Sequence, residues 1–142
     1  MPQDAQTNEE IERCFDVMSE LRRHLNREEF LPTIRKMQIE GYHLAYTLER
    51  NEIVALAGYR VYTNLFMGKH LYVDDLVTSN KFRSKGYGEK MIKWLREKAK
   101  KHACDYFHLD SGTQRSRAHK FYFMQGFSIA SYHFSENLSG NT

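Results

Sequence analysis

The chain has 142 residues, 41% of them hydrophobic and 13% aromatic, and its formal net charge is +3. This length and composition predict one domain over residues 1–142 with its own core, and they exclude a disordered chain. No run of about 18 apolar residues occurs, so we expect no membrane span and no membrane partner. The charge is too small to indicate nucleic acid as a partner. The N-terminus lacks the features of an export signal, so we expect a cytoplasmic protein with free thiols at Cys14 and Cys104.

Four helices are predicted from apolar residues at helical spacing. Thr7 or Asn8 can cap the first helix, whose first turn is acidic. Gly41 and Gly126 end the second and the fourth helices. The predicted helices are residues 8–21, residues 27–40, the long basic segment that follows Gly88, and residues 116–125.

Five strands are predicted between these helices. The first two form a hairpin that turns at Arg50 and Asn51, and only one strand follows Gly126. The alternation of strands and helices predicts the α/β (α+β) fold class. The predicted strands are residues 42–49, 52–61, 70–78, 105–111 and 127–134.

A glycine loop lies between the third strand and the long basic helix. Gly86 and Gly88 follow the cations Lys81, Arg83 and Lys85. Glycine permits positive φ and close approach of the backbone, and a helix N-terminus presents unpaired N–H groups. The pattern predicts a site for a phosphate or pyrophosphate. An ordinary strand-to-helix turn with solvated lysines is the alternative.

Two motifs in this order resemble those of the GNAT N-acetyltransferases. Arg83, Gly86 and Gly88 match the pattern R/Q-x-x-G-x-G/A, and residues 118–127 match A-x-x-F/L-Y-x-x-x-G-F, with its tyrosine at Tyr122. The resemblance extends over about residues 42–134. It implies the GNAT fold, a mixed and mostly antiparallel sheet flanked by helices. It also implies acetyl-coenzyme A (acetyl-CoA) as the co-substrate; no metal is expected, because no cluster of metal ligands is evident in the sequence.

Compared with this family, the terminal strands are shortened. The usual first strand is reduced to residues 2–6 at best, and one strand instead of two follows Gly126. Missing edge strands leave backbone groups unpaired. We therefore expect a homodimer that covers or completes the edge.

The resemblance also assigns the cofactor contacts. The backbone of Leu76, Val77 and Thr78 is expected to run beside the pantetheine arm like an added strand. Many family members carry Asn where this chain has Arg115, so Arg115 is expected to share in placing the cofactor. Backbone N–H groups of one loop are expected to hold the pyrophosphate; its residues are Arg83, Ser84, Lys85, Gly86, Tyr87, Gly88 and Glu89.

Three side chains are the candidates for chemistry. Tyr122 corresponds to the tyrosine that family members place near the thioester sulfur, where it can protonate the departing thiolate. Packing beside Phe121 and Phe123 is the alternative role. An alkylammonium acceptor must lose a proton before it attacks, and we expect Asp74 to accept that proton, through water. Asp75 is the second choice, and it could instead hold the cationic end of the substrate.

Strand alternation predicts that Asp74 and Asp75 point to opposite faces of the sheet. One predicted face carries Tyr72, Asp74, Leu76 and Thr78, and the other carries Val73, Asp75 and Val77.

The predicted function is acetyl transfer from acetyl-CoA to a primary amine by direct attack in a ternary complex. Asp74, Asp75 and Asp110 are expected to form a carboxylate cluster, which favours a small cationic amine. Arg115 and Arg117 are counter-evidence, because they could bind an anionic acceptor. Three alternatives remain: acetylation of protein lysines or N-terminal amines, a catalytically silent CoA-binding protein, and a nucleic-acid-binding module that uses the basic helix.

Histidines carry a weaker signal. His108 and Asp110 lie two residues apart on one strand and hence on one face. They could serve as a base pair or as two metal ligands, but no third metal ligand is evident in the sequence. His119 is expected at the surface.

Overall fold

A computed structural model describes residues 1–140 of the chain. These residues fall into two compact units, Met1–Leu109 and the segment from Asp110 onward. The single domain predicted above stays a prediction. In chain order, the first unit contains β1 (Gln3–Asp4), α1 (Asn8–Arg13), α2 (Phe15–Leu21), α3 (Arg27–Ile39), β2 (Tyr42–Glu49), β3 (Glu52–Asn64), β4 (Gly68–Thr78), a short 3-10 helix (Asn80–Phe82), α4 (Tyr87–Lys101) and β5 (Tyr106–Leu109), and the second unit contains α5 (Ser116–Met124).

The five strands form one sheet in the order β1-β2-β3-β4-β5. Pairs from β1 to β4 are antiparallel, and the pair β4–β5 is parallel. This confirms the predicted mixed, mostly antiparallel sheet. The β2–β3 hairpin turns at Arg50 and Asn51, whose φ angles of 50° and 66° are typical of a type I′ turn. β1 has only two residues, in agreement with a shortened first strand; the homodimer expected from such edges stays a prediction.

Two apolar clusters cover the two faces of the sheet. On the α1–α3 face, helix residues such as Ile11 and Ile34 pack against Leu44 and Leu56. On the α4 face, the predicted stripe of the long helix packs against β3, β4 and β5. All four residues of that stripe are buried: Met91, Ile92, Leu95 and Ala99.

The first predicted helix is divided at Cys14. The N–H of Cys14 donates to the carbonyl of Ile11, 3.0 Å away, and its thiol contacts the carbonyl of Glu10 at 3.3 Å. This tighter bond ends α1, and α2 begins at the next residue, Phe15. None of the helices in residues 1–140 is long and apolar enough to cross a membrane.

The strand predicted over residues 127–134 is wrong. No strand is formed between residues 110 and 140, and Ile129, Tyr132 and Phe134 are 71%, 82% and 92% exposed. Alternating apolar residues suit a strand, but a strand also needs a neighbouring strand for its backbone groups. Within the described second unit this segment has no such neighbour.

Candidate active site

Beyond Val73, β4 is paired along only one of its backbone edges. The parallel ladder to β5 ends where Val73 pairs with Leu109, although β4 continues to Thr78. On the other edge Leu76, Val77 and Thr78 stay paired with β3. We call the open edge of residues 74–78 the β4 notch. Apart from the Asp74 carbonyl, which accepts a hydrogen bond from Arg22 Nη2 at 2.9 Å, the N–H and C=O groups that no strand of residues 1–140 pairs on this edge can accept an extended ligand in the way that they would accept another strand.

The glycine loop follows the β4 notch directly. Ser79 starts the 3-10 helix, Ser84 and Gly86 have φ angles of 64° and 85°, and α4 begins after Gly86. No side chain within residues 1–140 caps α4 at Gly86. The first bond of the helix runs from the N–H of Lys90 to the carbonyl of Gly86. The N–H groups of residues 87–89 therefore precede the helical ladder and are oriented for an anion.

Charged side chains border this loop. Arg83 and Lys85 are exposed, and Lys85 Nζ lies 5.6 Å from the centre of the Phe82 ring. Glu89 in the first turn of α4 pairs with Lys93, one turn further on, at 3.9 Å.

Two residues that support the loop were missed from the sequence. The Phe82 ring packs edge-on against Tyr87, with centroids 6.2 Å apart, and so joins the two ends of the loop. The carboxylate of Glu20 accepts a hydrogen bond from the N–H of Asn80 at 2.8 Å. Phe82 stands inside the motif and could have been found. Glu20 lies 60 positions from Asn80, so no local pattern indicates it.

A β-bulge interrupts β4 at Asp74. The β3–β4 register places Gly58 opposite Asp75 and the next residue, Tyr59, opposite Val73. Asp74 is therefore the extra residue on its strand, and such an insertion shifts the alternation of side chains by one position.

The bulge puts Asp74 and Asp75 on the same side of the sheet. Val73 and Leu76 both pack on the α4 face, and Val77 packs on the α1–α3 face. The predicted assignment of β4 residues to two faces is therefore wrong beyond Asp74, because strict alternation assumes a regular strand.

Asp75 is held by a tyrosine and an arginine. The hydroxyl of Tyr42 donates to Asp75 at 2.7 Å, and Arg22 Nε donates to the same carboxylate at 2.9 Å. Gly58 makes this possible, because a Cβ at that position would lie 1.9 Å from the Tyr42 hydroxyl. Burial, with the nearby Asp75 charge, holds the pKa of Tyr42 well above its usual value. Asp75 is thus a structural anchor between α2 and the sheet.

Asp74 is held less tightly. Arg60 Nε lies 3.1 and 3.2 Å from its two oxygens, and the Arg60 guanidinium stacks 5.4 Å above the Tyr42 ring. Burial raises the pKa of Asp74 above its usual value, and Arg60 opposes that shift. Arg60 offsets the negative charge of Asp74, and Arg22 offsets that of Asp75. Each arginine lies far along the chain from its carboxylate, so the sequence contains no local pattern that predicts these ion pairs.

Tyr122 is positioned by the end of α5. Gly126, with φ of 94°, lets its own N–H bond to Phe123 and the N–H of Phe127 bond to the carbonyl of Tyr122, each at 3.1 Å. This is the Schellman arrangement, and the expected apolar contact is present because the Tyr122 and Phe127 rings lie 6.0 Å apart. The spacing Tyr-x-x-x-Gly-Phe is therefore a helix-ending motif that holds the tyrosine ring.

The environment of Tyr122 favours the protonated form of its phenol. Burial raises the pKa of the phenol, and the Arg115 charge opposes this shift. Arg115 lies at the start of α5, and no side chain of the described residues caps that helix either.

His119 is half-buried and its Nε2 lies 2.7 Å from the carbonyl of Gly112. Asp110 also belongs to this second unit, 4.0 Å from His133.

Two comparisons identify the family. Residues 6–127 match the family model described as the acetyltransferase (GNAT) family. An uncharacterized N-acetyltransferase of Bacillus subtilis, YhdJ, is 38% identical over 130 residues, covering 90% of this chain and 92% of that protein. Among residues 1–140, no group of three side chains could hold a metal ion.

Solved structures agree at the level of the fold. AAC(6')-Iy in complex with the bisubstrate analog CoA-S-monomethyl-acetylneamine has a TM-score of 0.84 at 11% identity, over 96% of each chain. Glucosamine-6-phosphate N-acetyltransferase from Arabidopsis thaliana has a TM-score of 0.78 at 19% identity, over 97% of each chain. The chain therefore belongs to the GNAT family of acetyltransferases.

Proposed function

We propose that this enzyme transfers an acetyl group from acetyl-CoA to a primary amine by direct attack in a ternary complex. One observation carries the proposal: the β4 notch is followed in the chain by the glycine loop and then by the N-terminus of α4, which no side chain of residues 1–140 caps. An extended amide-bearing arm and a pyrophosphate, joined in one ligand, match these two features in that order.

The cofactor would be held mainly by backbone. Leu76, Val77 and Thr78 would pair with the pantetheine amides, and residues 83–89 would bind the pyrophosphate through N–H groups. Arg83 and Lys85 add positive charge beside that loop, and Arg115 is proposed as a further cofactor contact.

The chemistry needs two protons removed from the nitrogen and one proton supplied to the sulfur. The acceptor ammonium gives its first proton, through water, to the Asp74 carboxylate, and the neutral amine then forms the C–N bond at the thioester carbon. As the C–S bond breaks, the Tyr122 hydroxyl gives its proton to the thiolate sulfur, and the nitrogen of the new C–N bond gives its second proton to the Tyr122 phenoxide, which restores the phenol. A phenol that is protonated at neutral pH suits this role, and burial of Tyr122 favours that form.

We propose a small amine with a second cationic group as the acceptor. Because arginines offset the charge of Asp74 and Asp75, support for this choice comes from the acidic surface beside the glycine loop, where a groove of about 720 Å³ lies between α1, α2 and the start of β3; Asp74 does not line this groove. Five acidic and three basic side chains line it, which favours a cation. They are Glu9, Glu12, Asp16, Glu20 and Glu52 with Arg13, Arg27 and Lys81.

A thiol-release assay with acetyl-CoA tests the function and the acceptor class together. We expect turnover with diamines and polyamines, weaker turnover with neutral monoamines, and least with amines that bear a phosphate or carboxylate. The best kcat/KM with an anionic amine would reject the cationic acceptor. Absence of acetyl-CoA binding by calorimetry would reject the function itself.

Tyr122→Phe tests the proton donor. We expect kcat to fall by about 10²-fold with acetyl-CoA affinity kept, because the ring still packs and only the O–H is lost. Tyr132→Phe is the matched control, since Tyr132 is an exposed tyrosine in the same unit. A Tyr122→Phe enzyme with the wild-type rate would show that the thiolate gets its proton elsewhere.

A further inference from the structure

The carboxylate of Glu20, on α2, caps the 3-10 helix that begins the glycine loop. Its Oε1 accepts the N–H of Asn80 at 2.8 Å, and its Oε2 lies 3.4 Å from the Ser79 hydroxyl, which donates to it. Ser79 precedes this short helix, and within residues 1–140 no side chain of that residue caps it. Glu20 therefore supplies the acceptor that an N-cap residue would otherwise provide.

Arg22, the residue that follows α2, holds the opposite end of the β4 notch. Its Nε donates to the Asp75 carboxylate and its Nη2 donates to the Asp74 carbonyl, both at 2.9 Å. A guanidinium presents its donors in a fixed fork, so the two bonds fix the backbone at Asp74 relative to the side chain of Asp75. The notch, residues 74–78, thus lies between the contacts of Arg22 and those of Glu20.

Helix α2 is itself fixed to the sheet. Val17 and Met18 are 6% and 2% exposed, and they belong to the apolar cluster that contains Val77 of the notch. Side chains that extend from a packed helix hold their partners more precisely than side chains on a loop do. We therefore infer that α2 determines how the notch and the glycine loop are placed relative to each other.

A carboxylate beside an anion site has two opposite effects on the anion. The negative charge of Glu20 repels a pyrophosphate, so charge alone predicts tighter cofactor binding when Glu20 is removed. The hydrogen bond to Asn80 orders the loop, so positioning predicts weaker binding. Water and salt screen the repulsion, whereas a hydrogen bond from a backbone N–H to a carboxylate is one of the stronger kinds. We expect positioning to outweigh repulsion.

We propose that Glu20 and Arg22 are positioning residues for acetyl-CoA, each for a different half of the cofactor. Glu20 orders the loop that binds the pyrophosphate, and Arg22 orders the backbone beside which the pantetheine arm lies. The proposal rests on the proposed function. Each side chain acts through backbone groups that contact the cofactor. A substitution at one of them should therefore weaken binding of one half of the cofactor, whereas general loss of structure would weaken both.

Two fragments of the cofactor test the role of Glu20: ADP represents the pyrophosphate half, and S-acetylpantetheine represents the thioester half. By NMR titration, we expect Glu20→Ala to weaken binding of acetyl-CoA and ADP about ten-fold and to leave S-acetylpantetheine unchanged. Glu20→Gln should retain most of the affinity, because the amide oxygen can still accept the N–H of Asn80. Unchanged or tighter binding of ADP by Glu20→Ala overturns the role of Glu20.

Glu12→Gln is the control for charge. Glu12 is an exposed carboxylate of α1 that lines the same groove as Glu20. We expect this variant to bind ADP as tightly as the wild type or more tightly, because it removes one negative charge near the loop. Equal losses of ADP affinity in Glu12→Gln and Glu20→Ala overturn the role of Glu20.

The same two fragments test Arg22 with the opposite expectation. Arg22→Met should weaken binding of S-acetylpantetheine about ten-fold and leave ADP unchanged, because methionine keeps an unbranched side chain but has no donor. Arg23→Met is the matched control, since Arg23 is the exposed arginine next to it. If Arg22→Met loses affinity for both fragments by the same factor, or for neither, the role of Arg22 is overturned.

Hydrogen exchange in the ligand-free protein tests the loop contact without any cofactor. We expect Glu20→Ala to speed exchange of the Asn80 amide at least ten-fold, while the amide of Leu56, in the core of the sheet, keeps its wild-type rate. Equal exchange of Asn80 in the two proteins overturns the role of Glu20. If the wild type binds neither acetyl-CoA nor ADP, the proposed function fails, while the exchange rates still decide whether Glu20 holds the loop.

Discussion

Helices α1 and α4 begin in opposite ways. At α1, the Thr7 hydroxyl accepts the N–H of Glu10 at 3.1 Å, and the Glu10 carboxylate accepts the N–H of Thr7 at 2.9 Å, which completes a capping box. At α4, Gly86 has no side chain to offer, and its φ of 85° lies in the left-handed region. Each terminus has N–H groups without a partner inside its own helix, and of the two only α1 has side chains among residues 1–140 that accept such hydrogen bonds.

The difference separates stability from binding. The anion at the start of α1 is part of the chain, so the helix dipole there stabilises the fold. At α4 the chain supplies cations, Arg83 and Lys85, and leaves the N–H groups available. A terminus that a phosphate can use has to be one that the protein leaves uncapped.

The largest expected effect is at Gly88, in the first turn of α4. Gly88→Val should weaken acetyl-CoA binding by an order of magnitude or more, because a branched side chain blocks approach of the pyrophosphate to the backbone. Calorimetry measures the affinity, and circular dichroism checks the fold. Gly88→Ala should show an intermediate loss. Unchanged affinity in the valine variant would mean that the loop does not hold the cofactor.

Giving α4 an anion of its own should make it resemble α1. Gly86→Asp should weaken acetyl-CoA binding about ten-fold, because a carboxylate repels the pyrophosphate at the helix terminus. Gly86→Asn is the matched control, since Asn has the same shape and also tolerates positive φ. If the two variants bind equally, the loss comes from shape and not from charge.

Removing the cap of α1 should affect stability alone. Thr7→Ala should cost about 1 kcal/mol, which lowers the melting temperature by about 3 °C for a chain of this size. Acetyl-CoA affinity should stay at the wild-type value. Asn26→Ala, at the capped start of α3, should behave in the same way. A change of affinity in either variant would contradict the separation of the two kinds of terminus.

The smallest expected effect is the loss of the stability that Glu10 contributes when the pH falls. The hydrogen bond from Tyr46, together with the N–H groups of the cap, lowers the pKa of Glu10 to about 2. Because the folded pKa is depressed, the stabilisation is present above the unfolded value of 4.5 and is lost as pH falls toward 2. The melting temperatures of wild type and Glu10→Gln should therefore converge over that range. If the difference between the two melting temperatures stays constant over this pH range, the ionised Glu10 carboxylate does not contribute the stability assigned to it.

Much of the fold follows from local patterns. The stripe of α4, the hairpin turn at Arg50 and Asn51, and the end of α5 at Gly126 each depend on residues within a few positions of one another. The loop from Arg83 to Glu89 was found for the same reason. Such features are encoded by neighbours in the sequence.

What could not be predicted depends on distant partners. Arg22 and Asp75 are 53 positions apart, and Tyr42 and Asp75 are 33 positions apart. No local sequence pattern predicts either contact. The bulge at Asp74 depends on how β3 aligns with β4. Residues 127–134 have the alternating pattern of a strand but do not form one. Strand formation also requires a neighbouring strand, and the local sequence does not show whether there is one.

The bulge at Asp74 also determines how β4 tolerates changes in length. Deleting Asp74 would restore an unbroken pleat in which Asp75 follows Val73, so Leu76 and Val77 would keep the faces that they now occupy. Such a deletion should therefore leave both apolar clusters in place and remove only the Asp74 carboxylate and its contact with Arg60. In chimaeras that join this strand to that of a relative, a junction between positions 73 and 76 can omit the extra residue without moving Leu76 or Val77 to the other face.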